Sequence, residues 1–153
     1  MTIAIPNIND LQEIDKIAVQ VHEFHVNWRP DIFESTDTII SADELKQMID
    51  NKEIIVAKKN NRVVGYVILY SSEGKKKGYR YRKQLEVAAM GIDKDYRNQK
   101  IGTQLLEYIK AYALENGYTD LRLTVNEENA NAIHLYEKVG FKVKNIAYSC
   151  RIK

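Results

Sequence analysis

The chain has 153 residues, of which 44% are hydrophobic and 29% charged, with a formal net charge of +2. That length suits one domain, residues 1–153, with a core of its own, and so small a net charge gives no reason to expect a polyanion partner. Cys150 is the only cysteine, which excludes an intrachain disulfide and suits a reducing cytoplasm. Met1 to Pro6 lacks the basic and apolar regions of a signal peptide, and the longest apolar run, Val63 to Tyr70, contains Gly65 and is too short to span a bilayer. A soluble, cytoplasmic protein with no membrane partner is expected.

Thr2 to Ile5 reads as a short edge strand closed by Pro6. Asn9 or Asp10 can cap a helix that carries Leu11, Ile14, Ile17, Ala18 and Val21 on one face. Pro30 ends that helix. Ser41 with Glu44 three positions on has the capping-box arrangement and opens a second helix through Leu45, Met48 and Ile49. Glu53 to Lys59 and Arg62 to Tyr70 flank Asn60-Asn61 and read as a hairpin. Tyr81 to Ile92 is the next strand, followed by a helix that ends at Asn116-Gly117. Thr119 to Val125 alternates through Leu121, Leu123 and Val125, and a last strand or hairpin is expected after Phe141. The pattern is α/β with a mixed sheet. Between the hairpin and the next strand, Lys75 to Lys83 gathers basic residues around Tyr79 and Tyr81. Phosphate contacts with stacking platforms would be one reading, but a solvated hairpin tip whose strand turns alternate tyrosines inward fits the low net charge better, so no nucleic-acid partner is expected.

The junction from Met90 to Thr103 is the most informative stretch. It runs from an apolar strand end through a polar turn into a helix with Ile101, Leu105, Ile109 and Tyr112 at near-helical spacing. A helix start offers unpaired backbone N–H groups and the positive end of its dipole, which suits phosphate, and Arg97 and Lys100 add positive charge. The spacing Arg97-x-x-Lys100-x-Gly102 resembles the Arg/Gln-x-x-Gly-x-Gly/Ala pyrophosphate turn of the GCN5-related N-acetyltransferase (GNAT) superfamily. Lys100 departs from the family's first glycine; if that position requires positive φ, a lysine there is strained. Downstream, Asn129 to Phe141 resembles the family's Asn-x-x-Ala-x-x-x-Tyr-x-x-x-Gly-Phe ending, a short helix with Ala132, Ile133, Tyr136 and Val139 on one face and Gly140 placed to end it.

The resemblance implies a GNAT-like acyl-CoA N-acyltransferase fold, a mixed and mostly antiparallel sheet flanked by helices. It implies an acetyl-CoA-dependent N-acetyltransferase that moves the acetyl group directly to a primary amine of a small molecule, peptide or protein. The cofactor-binding set would be Met90, Gly91 and Ile92 on the strand, Arg97, Asn98, Gln99, Lys100, Ile101, Gly102 and Thr103 in the turn, and Asn129, which is equally placed to cap its helix. Gly91 suits a strand bulge, or else a tightly packed position. Tyr136 matches the tyrosine that protonates the CoA sulfur, with a packing tyrosine as the alternative. Glu86 stands where one branch of the family carries a glutamate base; an exposed, salt-bridged strand glutamate is the other reading. His134 is expected to face solvent, and nothing near Cys150 activates a thiol for an acyl-cysteine route. The acceptor site would be lined from the first helix and its following loop by His25, Trp28, Arg29 and Phe33. His22 and His25 lack a third ligand, so no metal is expected. The sequence leaves open monomer or homodimer, the identity of the amine, and a non-catalytic acyl-CoA sensor as the competing function.

Overall fold

A computed structural model describes residues 1–153. The elements in chain order are β1 (Thr2–Ala4), a 3-10 turn (Ile8–Asp10), α1 (Leu11–Trp28), α2 (Ala42–Asp50), β2 (Ile54–Lys59), β3 (Arg62–Gly74), β4 (Arg82–Ile92), a second 3-10 turn (Lys94–Tyr96), α3 (Ile101–Glu115), β5 (Asp120–Leu123) and α4 (Ala130–Lys138). The five strands form one sheet in the order β1-β2-β3-β4-β5. The first three pairings are antiparallel and β4 with β5 is parallel, so the sheet is mixed and mostly antiparallel.

Strand alternation sends neighbouring side chains to opposite faces, and here both faces are covered. Val56, Tyr66 and Ile68 join Ile14, Ile17 and Ala18 of α1 and Leu45 and Met48 of α2 in one buried cluster. Ile55, Ala57, Val67 and Leu69 join Ile101, Leu105 and Ile109 of α3 in the other. The β2–β3 turn places Asn60 and Asn61 at φ 50° and 65°, the left-handed pair that a tight hairpin requires and that asparagine tolerates.

Local signals set the helix ends. Ser41 Oγ accepts from the Glu44 amide at 3.1 Å to start α2. Gly140, at φ 104°, ends α4: its amide donates to Glu137 O and that of Phe141 to Tyr136 O, a Schellman closure. Asp10 precedes α1, but its carboxylate accepts from the Asn7 amide and pairs with Lys58 at 2.8 Å instead of capping α1.

Three expectations are corrected. No strand follows Phe141: residues 142–153 have no regular structure, because a strand exists only where its backbone finds a partner, and this one has none. Tyr79 and Tyr81 do not face inward; they are exposed, and the Tyr81 hydroxyl donates to Glu73 across the hairpin. Gly91 is not the bulge. The β3–β4 register shifts between Ile68 and Leu69, which leaves Ala88 unpaired, while Gly91 stays opposite Tyr66. A Cβ on Gly91 would lie 2.7 Å from Val21 Cγ2 and 2.9 Å from Tyr66 Cε1, so glycine is there to let α1 pack on the strand.

Candidate active site

The Ala88 bulge changes which face each β4 side chain serves. Leu85 and Val87 pack toward α3 before it; afterwards Met90 and Ile92 do, while Ala89 turns to α1. Pairing of β4 with β5 stops at Val87 and Leu123, yet β4 continues to Ile92. From Ala88 to Ile92, therefore, the edge of β4 that faces β5 has no partner strand.

The end of β4 is fixed by a buried carboxylate that sequence reasoning missed. The Asp93 amide donates to Val64 O at 2.9 Å, and its side chain accepts from the Asp95 amide at 3.1 Å and from Lys16 Nζ at 3.3 Å. Burial raises the Asp93 pKa, but these hydrogen bonds and the Lys16 charge more than offset it, so the carboxyl lies below its ordinary range. The result ties α1 to the turn that leads into α3.

That turn is built to present amides. Asn98 and Lys100 adopt left-handed conformations, at φ 62° and 63°, and Lys100 occupies the N-cap of α3 without any side-chain cap. The first bond into the helix is from the Gln104 amide to Lys100 O, and none of the amides from Arg97 to Thr103 finds an acceptor in the protein. Left-handed residues among free amides are the arrangement of an anion-binding nest, and the α3 dipole adds to it. The side chains do less. Arg97 folds back, its Nε donating to Ile92 O at 3.3 Å and its guanidinium lying 5.0 Å from the Phe24 ring centre. Gln99 accepts from Lys59 Nζ at 3.0 Å, and the Lys100 side chain is exposed.

Gly102 joins three elements. A Cβ there would lie 2.9 Å from Leu135 Cδ2 of α4 and 3.2 Å from Met90 Cε of β4. The α3 start, Met90 from the unpaired stretch of β4 and Leu135 from the middle of α4 therefore meet at one point. The Tyr136 ring is mostly buried, 5.8 Å from the Phe141 ring, and burial pushes its pKa up, so the phenol keeps its proton. Asn129 Oδ1 accepts from the Ala132 amide at 3.2 Å, which makes it the N-cap of α4. His134 and Cys150 are exposed.

Glu86 is half-buried on β4, on the strand face opposite Leu85 and Val87, between Tyr70 of β3 and Arg122 of β5. It belongs to none of the ion pairs, so the salt-bridged reading does not hold. The predicted acceptor residues do come together. His25 lies 5.4 Å from Trp28 and 5.5 Å from Phe33, centre to centre. Burial, with His22 adding to it, lowers the His25 pKa and keeps the imidazole neutral. Arg29 is committed to Asp31 through two hydrogen bonds of 2.9 Å, and His22 Nε2 lies 2.7 Å from Glu34 O. Phe24, absent from the sequence-level set, stacks on Trp28 at 5.7 Å and so connects the aromatic cluster to Arg97 of the turn. Its position four residues before Trp28 is the signal that could have found it.

Comparison with known proteins agrees with this geometry. The profile of the acetyltransferase (GNAT) family matches residues 19–141. Rat N-acetyltransferase family 8 member 2 is 31% identical over 87 residues, 57% of this chain and 37% of that protein. The thialysine N-epsilon-acetyltransferase of Bos taurus is 32% identical over 78 residues, 51% of this chain and 44% of that one. The chain thus matches less than half the length of these curated relatives. A mutant protein of Bacillus halodurans superposes with a TM-score of 0.95 over 100% of both chains at 20% identity, a likeness of fold. With most of its length matched by the family profile, the chain belongs to the GNAT family of acetyltransferases.

Proposed function

We propose that this protein transfers an acetyl group from acetyl-CoA directly to a primary amine. One observation carries the reading: free amides at the start of α3, the unpaired stretch of β4 and helix α4, which carries Tyr136, meet around Gly102. The free amides from Arg97 to Thr103 fit a pyrophosphate, and the open backbone from Ala88 to Ile92 fits an extended, amide-bearing arm. Acetyl-CoA would supply the activated thioester there.

The residues then divide the work. The amine nitrogen attacks the thioester carbonyl, the C–N bond forms as the C–S bond breaks, and the sulfur leaves with the electron pair. Tyr136 donates its proton to that sulfur and is reprotonated from solvent. Glu86 takes the amine's proton through water, and β4 backbone amides polarise the carbonyl oxygen. The aromatic cluster of His25, Trp28 and Phe33 forms the acceptor wall, with Arg29 held by Asp31 at its rim. Relatives named as N-acetyltransferases support a nitrogen acceptor. A cytoplasmic setting, where acetyl-CoA is made and used, belongs to the same proposal.

The test is a thiol-release assay with acetyl-CoA and a panel of small amines, lysine-bearing peptides and free peptide N-termini. Turnover of at least one amine well above the buffer rate is expected. Acetyl-CoA binding without turnover of any amine would instead leave a non-catalytic acyl-CoA sensor. With the best amine, Glu86→Gln should lose turnover at neutral pH and recover part of it as rising pH frees the amine. An unchanged pH–rate profile would remove Glu86 from the mechanism.

A further inference from the structure

The hairpin between β3 and β4 takes no part in the proposed acetyl transfer, yet it concentrates charge. Lys75, Lys76, Lys77, Arg80, Arg82 and Lys83 stand within nine residues, with Glu73 the one carboxylate beside them. The whole chain has 23 basic and 21 acidic residues, so without this hairpin it would be net acidic. At physiological salt a surface charge is felt over about 8 Å, and a docking partner therefore meets this local excess rather than the small net value.

The hairpin also stands clear of the sheet. Pairing of β3 with β2 stops at Ile68 and pairing of β4 with β5 begins at Gln84, so Ser71 to Gly74 and Arg82 to Lys83 form a two-stranded ribbon. Its base is anchored: Arg82 pairs with Asp120 at 2.8 Å, and Lys83 Nζ donates to Asn116 O at 2.8 Å and lies 4.5 Å from the Tyr118 ring centre. Its tip is closed by the Tyr79 amide, which donates to Lys76 O, with Gly78 at φ 83°. Every residue from Tyr70 to Arg82 is exposed, and Lys75, Lys76, Lys77 and Arg80 enter no ion pair. Among these free cations the tyrosines that the sequence pattern turned inward stand in solvent, Tyr79 64% and Tyr81 53% exposed. The Tyr81 hydroxyl donates to Glu73, which holds its ring against the ribbon and engages the one carboxylate there.

We infer that this hairpin binds single-stranded nucleic acid, with Lys75, Lys76, Lys77 and Arg80 on the phosphates and Tyr79 and Tyr81 as platforms for unpaired bases. Free cations alone would take any polyanion. Exposed aromatic rings set among them favour one whose charges alternate with flat π faces, which an unpaired strand offers and an acidic peptide does not. Stacking of this kind tolerates any base, so no sequence preference is expected. The surface is separate from the proposed acetyl-CoA site. β4 runs for 11 residues from the hairpin toward the turn that opens α3, so the two lie roughly 30 Å apart at the rise of a strand.

The test is fluorescence anisotropy of a labelled oligouridylate of about 12 nucleotides titrated with the full chain at low salt. Saturable binding is expected, and no change at high micromolar protein would overturn the inference. Saturating acetyl-CoA should leave binding intact, and polyglutamate should compete far less well than unlabelled oligouridylate. Displacement by acetyl-CoA would place the strand on the α3 amides, and equal competition by polyglutamate would make the hairpin a surface for acidic proteins; either result overturns it. Tyr79→Ala should weaken binding roughly tenfold, while Tyr79→Phe, which keeps the ring, should bind as the native chain does. Undiminished binding by Tyr79→Ala would leave charge alone and remove the base platform. Lys75→Ser, Lys76→Ser and Lys77→Ser together should flatten the slope of log affinity against log salt by about 2, and an unchanged slope would put the phosphates elsewhere. All four side chains are exposed, so these variants should keep the native fold, as circular dichroism would show.

Discussion

Tyr136 shows how much a residue's meaning depends on its surroundings. Its spacing from Asn129 and Gly140 was legible in the sequence, but burial decides its chemistry: an apolar setting disfavours the phenolate and keeps the proton on, as the proposed role of thiolate acid requires. Tyr136→Phe should leave the fold and acetyl-CoA affinity nearly unchanged and lower kcat on the order of 10²-fold; full turnover in that variant would make the tyrosine a packing residue. Lys100 shows a cost that spacing alone could not reveal. The sequence raised the question of positive φ, and the backbone answers it with φ 63°. Lys100→Gly should stabilise the protein by roughly 0.5–1 kcal/mol, the left-handed strain relieved less the entropy glycine loses on folding, measured by urea denaturation. No stabilisation would mean that the lysine stem recovers the strain through packing. His25 gives a pH dependence. Its folded-state pKa is lowered, so the unfolded chain binds its proton more readily. The stability this costs is absent above the ordinary value of 6.5 and grows as pH falls below it. His25→Asn should flatten the decline in melting temperature between neutral and mildly acidic pH.

At the scale of elements, the Ser41 cap of α2, the Gly140 stop of α4 and the Asn60-Asn61 hairpin followed from local chemistry, since each is decided within a few residues, whereas the cap expected from Asp10 gave way to its pairing with Lys58. The β4 bulge did not. Glycine permits a bulge, but which residue goes unpaired depends on the register with β3, a tertiary property. Gly91 accordingly turned out to serve the contact between α1 and β4. Gly91→Ala should destabilise by about 1–3 kcal/mol, because the stiff side chains of Val21 and Ile17 and the buried Tyr66 ring have little room to give way. A neutral effect in thermal denaturation would show that α1 can shift on the sheet. The strand expected after Phe141 failed for a related reason: alternation supplies a face, but only a neighbouring edge makes a strand.

Across the whole molecule, the sequence placed the two halves of the site far apart, in the turn before α3 and on α4, and only the fold brings them to Gly102. The tie from Arg97 through Phe24 to the aromatic cluster of α1 is likewise a product of packing, and it joins the turn before α3 to the proposed acceptor wall. The account rests on backbone amides at the α3 start holding acetyl-CoA, with Arg97 secondary because its guanidinium is turned toward α1. Calorimetric titration of acetyl-CoA into the native protein, Gly102→Val and Arg97→Ala tests this most directly. Saturable one-to-one binding to the native chain is predicted, with a large loss in Gly102→Val, whose side chain would push Leu135 and Met90 from the junction, and a smaller loss in Arg97→Ala. No binding to the native protein at millimolar acetyl-CoA, or a greater loss in Arg97→Ala than in Gly102→Val, would contradict it.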